Sequence, residues 1–106
     1  ILSVDTLIGI SEITVDSYNV DTPYIRVTGG HTITFYSPDQ YGITGATLRE
    51  YNGNKGSVDS WQCRNEPRQV TLNANTKFVR LPCRKTRISE CYIRDDSEGV
   101  LLFGHT

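Results

Sequence analysis

Two histidines, three cysteines and one dense run of cations are the residues of this 106-residue chain whose types bear on chemistry. His31 follows Gly29-Gly30, and His105 is next to the last residue. A ribonuclease-like histidine pair, or one histidine with a carboxylate such as Glu50, is the enzyme reading, because imidazole exchanges protons near neutral pH. Two exposed loop histidines are the plainer reading. The chain has no His-Glu-x-x-His, Cys-x-x-Cys, Gly-x-Ser-x-Gly or phosphate-cradling glycine loop to set against it. Asp95-Asp96-Ser97-Glu98 reads as a solvated acidic turn. The sequence therefore predicts no enzyme, no cofactor and no metal site. A small secreted hydrolase or ribonuclease using His31 or His105 is the catalytic alternative.

The cations gather late. Residues 1–62 carry three basic and seven acidic side chains, and residues 63–106 carry eight basic and five acidic, within a net charge of −1. Between Lys77 and Arg87 stand Lys77, Arg80, Arg84, Lys85 and Arg87, with no acid among them. Like charges so placed repel one another, and they set up a local potential that attracts anions. The sequence predicts a basic hairpin over 77–91 that binds a protein or an anionic surface, either polysaccharide or lipid headgroups. Only Phe78 and Tyr92 lie nearby to stack on bases, so sequence-specific nucleic acid is disfavoured.

Cys63, Cys83 and Cys91 are an odd number of cysteines. One disulfide with one free thiol, or one disulfide with a bridge to a second chain, are the simple arrangements, and three reduced, buried cysteines in a cytosolic protein are the alternative. A Cys83–Cys91 bond would close a nine-residue ring with exposed cations, resembling the reactive loop of Bowman–Birk-type trypsin inhibitors but without their prolines. A protease inhibitor is thus a second alternative. Cys63–Cys83 or Cys63–Cys91 would serve stability instead. The longer bridge is favoured, because cysteines close in sequence often face apart in β structure. An oligomer, disulfide-linked or not, stays open.

The elements that must position these residues are strands. His31 to Tyr36 alternates, with Ile33 and Phe35 on one face and Thr32, Thr34 and Tyr36 on the other. Ser37-Pro38-Asp39 breaks the ladder, Tyr41-Gly42 closes a bend, and Ala46 to Tyr51 returns as the second arm of a folded hairpin. Asn52 to Gly56 is a polar loop whose two glycines suit positive φ. Short alternating runs follow at 58–64, 68–72, 77–81 and 91–94, and 100–103 forms a closing strand. No long segment has helical periodicity. With 37% hydrophobic residues, one domain over 1–106 has material for a two-layer core, and no apolar run reaches the length of a membrane span. The fold predicted is all-β, a sandwich or barrel with essentially no helix. Its core candidates are Ile33, Phe35, Val58, Val70, Leu72, Val79, Leu81, Leu101 and Phe103.

The stretch Ile33-Thr34-Phe35-Tyr36 through Tyr41-Gly42, followed by Ser57-Val58-Asp59-Ser60-Trp61, resembles a βγ-crystallin Greek-key motif over about thirty residues. The resemblance implies a Greek-key domain in which Ser60 pins the aromatic hairpin. It also implies a binding role, as in microbial secreted toxins and inhibitors of that fold. The family's calcium site is not expected here, because Lys55 would put an ammonium where a carboxylate should meet a hard cation. The chain begins at Ile1 and contains no methionine, which predicts a processed, secreted product. Together these features predict a secreted, non-enzymatic interaction protein of the toxin, effector or defence type.

Overall fold

The computed structural model describes residues 19–38, 46–64 and 66–104. Ten strands follow in order: β1 Asn19–Asp21, β2 Ile25–Arg26, β3 Thr32–Tyr36, β4 Thr47–Tyr51 and β5 Ser57–Gln62, then β6 Arg68–Thr71, β7 Phe78–Arg80, β8 Pro82–Arg84, β9 Tyr92–Asp95 and β10 Val100–Gly104. A six-residue 3-10 helix, Lys85–Glu90, stands between β8 and β9. About 51% of the described residues are strand and 8% helix, so the fold is all-β as expected.

One antiparallel sheet runs β10-β9-β3-β6, a second runs β2-β7-β4-β5, and β1 pairs with β8 in a two-stranded ribbon. The two larger sheets share one core. Ile33 and Phe35 of β3, Ile93 of β9 and Phe103 of β10 meet Leu48 of β4, Val79 of β7 and Ile25 of β2 in a single apolar cluster. Each comes from the inward half of an alternating strand, where burial of apolar surface contributes about 25 cal/mol per Å².

Seven of the nine expected core residues are buried; Val58 and Leu101 are only half-buried. Both stand where the register shifts. Val58 is the extra residue between the Tyr51–Ser57 and Glu50–Asp59 pairs, and Leu101 begins the slip before Phe103. A bulge of this kind turns its side chain off the alternating face.

Two expected hairpins are not formed. β3 and β4 lie in different sheets, so residues 31–51 are a crossover between layers. Ser37 and Pro38 are buried at the crossing, where Ser37 O accepts Ala46 N–H at 2.9 Å. Tyr41 and Gly42 lie outside the described residues. The basic segment 77–91 also divides. β7 pairs with β2 and β4, whereas β8 pairs with β1. Pro82, which has no N–H to offer a ladder, begins the second strand.

Candidate functional site

Alternation along β4 sends Leu48 and Glu50 inward and Thr47, Arg49 and Tyr51 outward. Arg49 lies opposite Arg80, Tyr51 opposite Phe78, and Phe78 opposite Arg26, so these side chains share the outer face of the β2-β7-β4-β5 sheet. Tyr24, just before β2, completes the group. Its ring stands edge-on to Tyr51 with centroids 5.1 Å apart and to Phe78 at 6.0 Å. Cations lie over these rings. Lys55 Nζ is 4.9 Å from the Tyr24 centroid and 5.9 Å from that of Phe78. The Arg80 guanidinium is 4.7 Å from Tyr24, and that of Arg26 is 5.5 Å from Phe78. The outcome is a face on which two of three clustered rings, Tyr24 and Phe78, hold three cations.

Lys55 reaches this face from the β4–β5 turn. Asn52 Oδ1 accepts the N–H groups of Asn54 and Gly56, both at 2.9 Å, and Lys55 takes φ +63°. The loop glycines were the expected positive-φ residues; the left-handed conformation falls on lysine instead. That backbone costs a non-glycine residue about 1–2 kcal/mol. Lys77 Cγ lies beside Gly53 of the same turn, which puts a further exposed cation at this end of the sheet.

Acids are scarce on the face. Asp21 is buried, with Oδ2 taking Arg49 in a close ion pair and Arg80 Nη2 at 3.5 Å. Arg80 Nε also donates to Thr22 O at 2.8 Å, so Arg49 and Arg80 are anchored from below. Among the described residues, Arg26 and Lys55 pair with no acid. Beneath the face, fully buried Glu50 accepts from Trp61 Nε1 at 2.5 Å, Thr76 Oγ1 at 2.5 Å, and Asn73 N at 2.9 Å. These bonds join β4 and β5 to the turn that leads into β7.

The cations expected to act together are therefore split. Arg80 belongs to the aromatic face and Lys77 adjoins it. Arg84 lies in β8, and Lys85 and Arg87 in the 3-10 helix. Arg87 Nε and Nη2 each donate to Glu90 at 2.8 Å. The segment 85–90 is coiled in 3-10 turns, unlike the extended backbone that an inhibitor loop presents to a protease. What the sequence reading missed is Tyr24, Arg26, Arg49 and Tyr51. They come from two separate stretches, and only strand register on either side of β7 brings them together. Alternation within 24–28 and 47–51 was the available signal.

The other sequence candidates lie elsewhere. His31 Nδ1 is 2.9 Å from Asp95 Oδ2, and Asp95 Oδ1 accepts Glu98 N–H at 3.1 Å. Glu50 is not its partner. One ligand atom from each of His31, Asp95 and Glu98 falls within 4.8 Å of the others, a set with the chemistry to take a divalent cation. That spread is wider than the roughly 3.3 Å between ligands of a tetrahedral zinc. His31 Nδ1 and Glu98 N–H between them already occupy both Asp95 carboxylate oxygens. His105 lies outside the described residues. Ser60 is exposed on β5 opposite Arg49, in the sheet that does not contain β3.

All three cysteines are free and buried, so neither Cys63 bridge is present. Cys63 Sγ donates to Ser37 O at 3.2 Å. Cys83 and Cys91 do not face apart, because a 3-10 helix rather than a strand separates them. Comparison with protein-family models, curated proteins and solved structures gave no match.

Proposed function

We propose that this is a non-catalytic binding protein that attaches to an anionic polysaccharide through the outer face of the β2-β7-β4-β5 sheet. The observation that carries the reading is Arg26 and Lys55. Both are fixed against aromatic rings, and neither meets an acid among the described residues. Cation–π contact at exposed positions is worth about 0.5–1 kcal/mol, enough to restrict the side chain while its N–H groups still face outward. Such ordering lowers the entropy lost when an anion binds.

The same geometry favours a polysaccharide over other polyanions. The ring faces of Tyr24 and Phe78 carry cations, which leaves bases little to stack on. Tyr24 and Val100 are the only large apolar side chains exposed among the described residues, so no apolar wedge for lipid accompanies the charge. Secretion, and a toxin, effector or defence role exercised through attachment to a surface, fit this partner and belong to the proposal.

The test is calorimetric titration with dextran sulfate and with neutral dextran at several salt concentrations. The reading predicts binding to the sulfated polymer alone, weakening as salt rises. Equal binding of both polymers, or of neither, contradicts it.

A further inference from the structure

Three sulfurs converge on Ser37, where β3 leaves its sheet. Cys63 Sγ donates to Ser37 O, and Cys91 Sγ lies 3.5 Å from Ser37 Oγ. The Ser37 hydroxyl itself donates to Pro82 O at 2.6 Å, which ties this crossing to β8. Cys83, the next residue, has its Sγ 3.5 Å from Leu81 O, and its sulfur neighbours that of Cys91. The 3-10 helix brings these two sulfurs together by folding residues 85–90 back on themselves. Cys91 N–H closes its last turn onto Ile88 O at 3.1 Å, and buried Ile88 fixes it against the core.

We propose that Cys83 and Cys91 are a disulfide-forming pair, oxidised by a peroxide, and that Cys63 stays a thiol. The covalent site is the 83–91 ring, which encloses Arg84, Lys85 and Arg87 and lies apart from the polysaccharide face.

Oxidation proceeds in two steps. Cys91 Sγ, as the thiolate, attacks one oxygen of hydrogen peroxide. The O–O bond breaks, and with one proton taken up the products are a Cys91 sulfenic acid and water. Cys83 Sγ, giving up its proton, then attacks the Cys91 sulfur and displaces the hydroxyl as a second water. Two thiols and one peroxide thus yield one disulfide and two waters.

The two sulfurs are unequal in the order this sequence needs. The hydrogen bond from Cys83 brings Cys91 below the ordinary thiol range against the effect of burial. Donating that bond, together with burial, holds the Cys83 proton well above it. Cys91 is the attacking sulfur and Cys83 the resolving one. Both are closed to bulk solvent, which favours a small oxidant over a bulky disulfide. Cys63 is left out because the sulfur neighbouring Cys91 is that of Cys83, whereas Cys63 Sγ donates to Ser37 O at 3.2 Å.

The test uses the full chain and hydrogen peroxide, followed by denaturation, blocking of remaining thiols with N-ethylmaleimide and tryptic mapping. The expected result is loss of two hydrogens, about 2 Da, a label on Cys63 alone, and a cross-linked pair of peptides, 81–84 with 88–94. Replacement C63S should leave this cross-link unchanged. C83S should strand Cys91 as sulfenic or sulfinic acid. A bridge through Cys63, a covalent dimer, or three thiols still open to the label after oxidation would overturn the assignment.

Discussion

The two large sheets bury much the same kind of inner surface but present opposite outer ones. On β10-β9-β3-β6, the outward residues are Thr32, Thr34, Tyr36, Gln69, Thr71, Tyr92 and Arg94. Asp96 gathers their polar atoms, accepting from Thr34 Oγ1 at 2.5 Å and Gln69 Nε2 at 3.0 Å, with Arg94 Nε at 3.8 Å. Tyr36 lies tilted against Tyr92, with centroids 6.2 Å apart. That face satisfies itself. On β2-β7-β4-β5, cations outnumber acids and lean on rings. A hydrogen-bonded surface gains little by meeting a partner, whereas ordered charge without counter-charge gains contacts when an anion arrives.

The largest way to break this contrast is to remove the support beneath the charged face. Glu50→Ala leaves Trp61 Nε1, Thr76 Oγ1 and Asn73 N without their shared acceptor in a buried place. Unfolding in urea should show a loss of about 3 kcal/mol, since each stranded donor costs roughly 1–3 kcal/mol. Unchanged stability would mean that Glu50 does not hold β4 and β5 to the turn before β7.

Lys55→Gly separates function from stability at one position. Glycine relieves the left-handed backbone but forfeits the cation–π contacts and adds chain entropy, effects of about 1 kcal/mol each and of opposite sign. Thermal unfolding should move by no more than about 1 kcal/mol, while affinity for dextran sulfate falls severalfold. A stable variant with full affinity would remove Lys55 from the face.

Arg94→Ser alters the opposite face, where the arginine already lies beside Asp96. Affinity for dextran sulfate should change by less than about twofold, because an exposed, partnered cation is worth little. A larger loss would put the binding surface on the wrong sheet.

Most of the architecture was legible in the sequence because strand alternation is a local signal. Ile33, Phe35, Val79 and Phe103 are buried as their spacing predicts. What was not legible depended on pairing between distant strands. Nothing in residues 31–51 tells a hairpin from a crossover, since the same turn residues serve both. The charge run at 77–87 reads as one hairpin in the sequence, but Pro82 redirects the chain from one sheet to a separate ribbon and divides its cations between them. The aromatic face was hidden for the same reason. Tyr24, Tyr51 and Phe78 are far apart in sequence and become neighbours only through register.

The smallest expected effect concerns the cations left off that face. Arg87 donates to Glu90 and holds its carboxyl below the usual carboxylate range. A depressed carboxyl contributes stability above its unfolded value of about 4.5 and loses it as pH falls through the lower folded value. Glu90→Gln should therefore destabilise at pH 7 but not at pH 3. Because the pair is largely exposed, the difference should stay below about 0.5 kcal/mol in thermal unfolding followed across pH.

The most direct measurement compares two variants in binding to dextran sulfate as salt is varied. One carries Arg26→Ser with Lys55→Ser, and the other carries Arg84→Ser, Lys85→Ser and Arg87→Ser. Each cation engaged with a polyanion adds about one unit to the slope of log affinity against log salt. The account predicts that the first variant, folded by circular dichroism, loses about two units of slope and most of its low-salt affinity. The second, though it removes more charge, should keep nearly the parent's slope. The reverse pattern, with the triple variant impaired and the double variant intact, would contradict the assignment of binding to the aromatic, cationic sheet face.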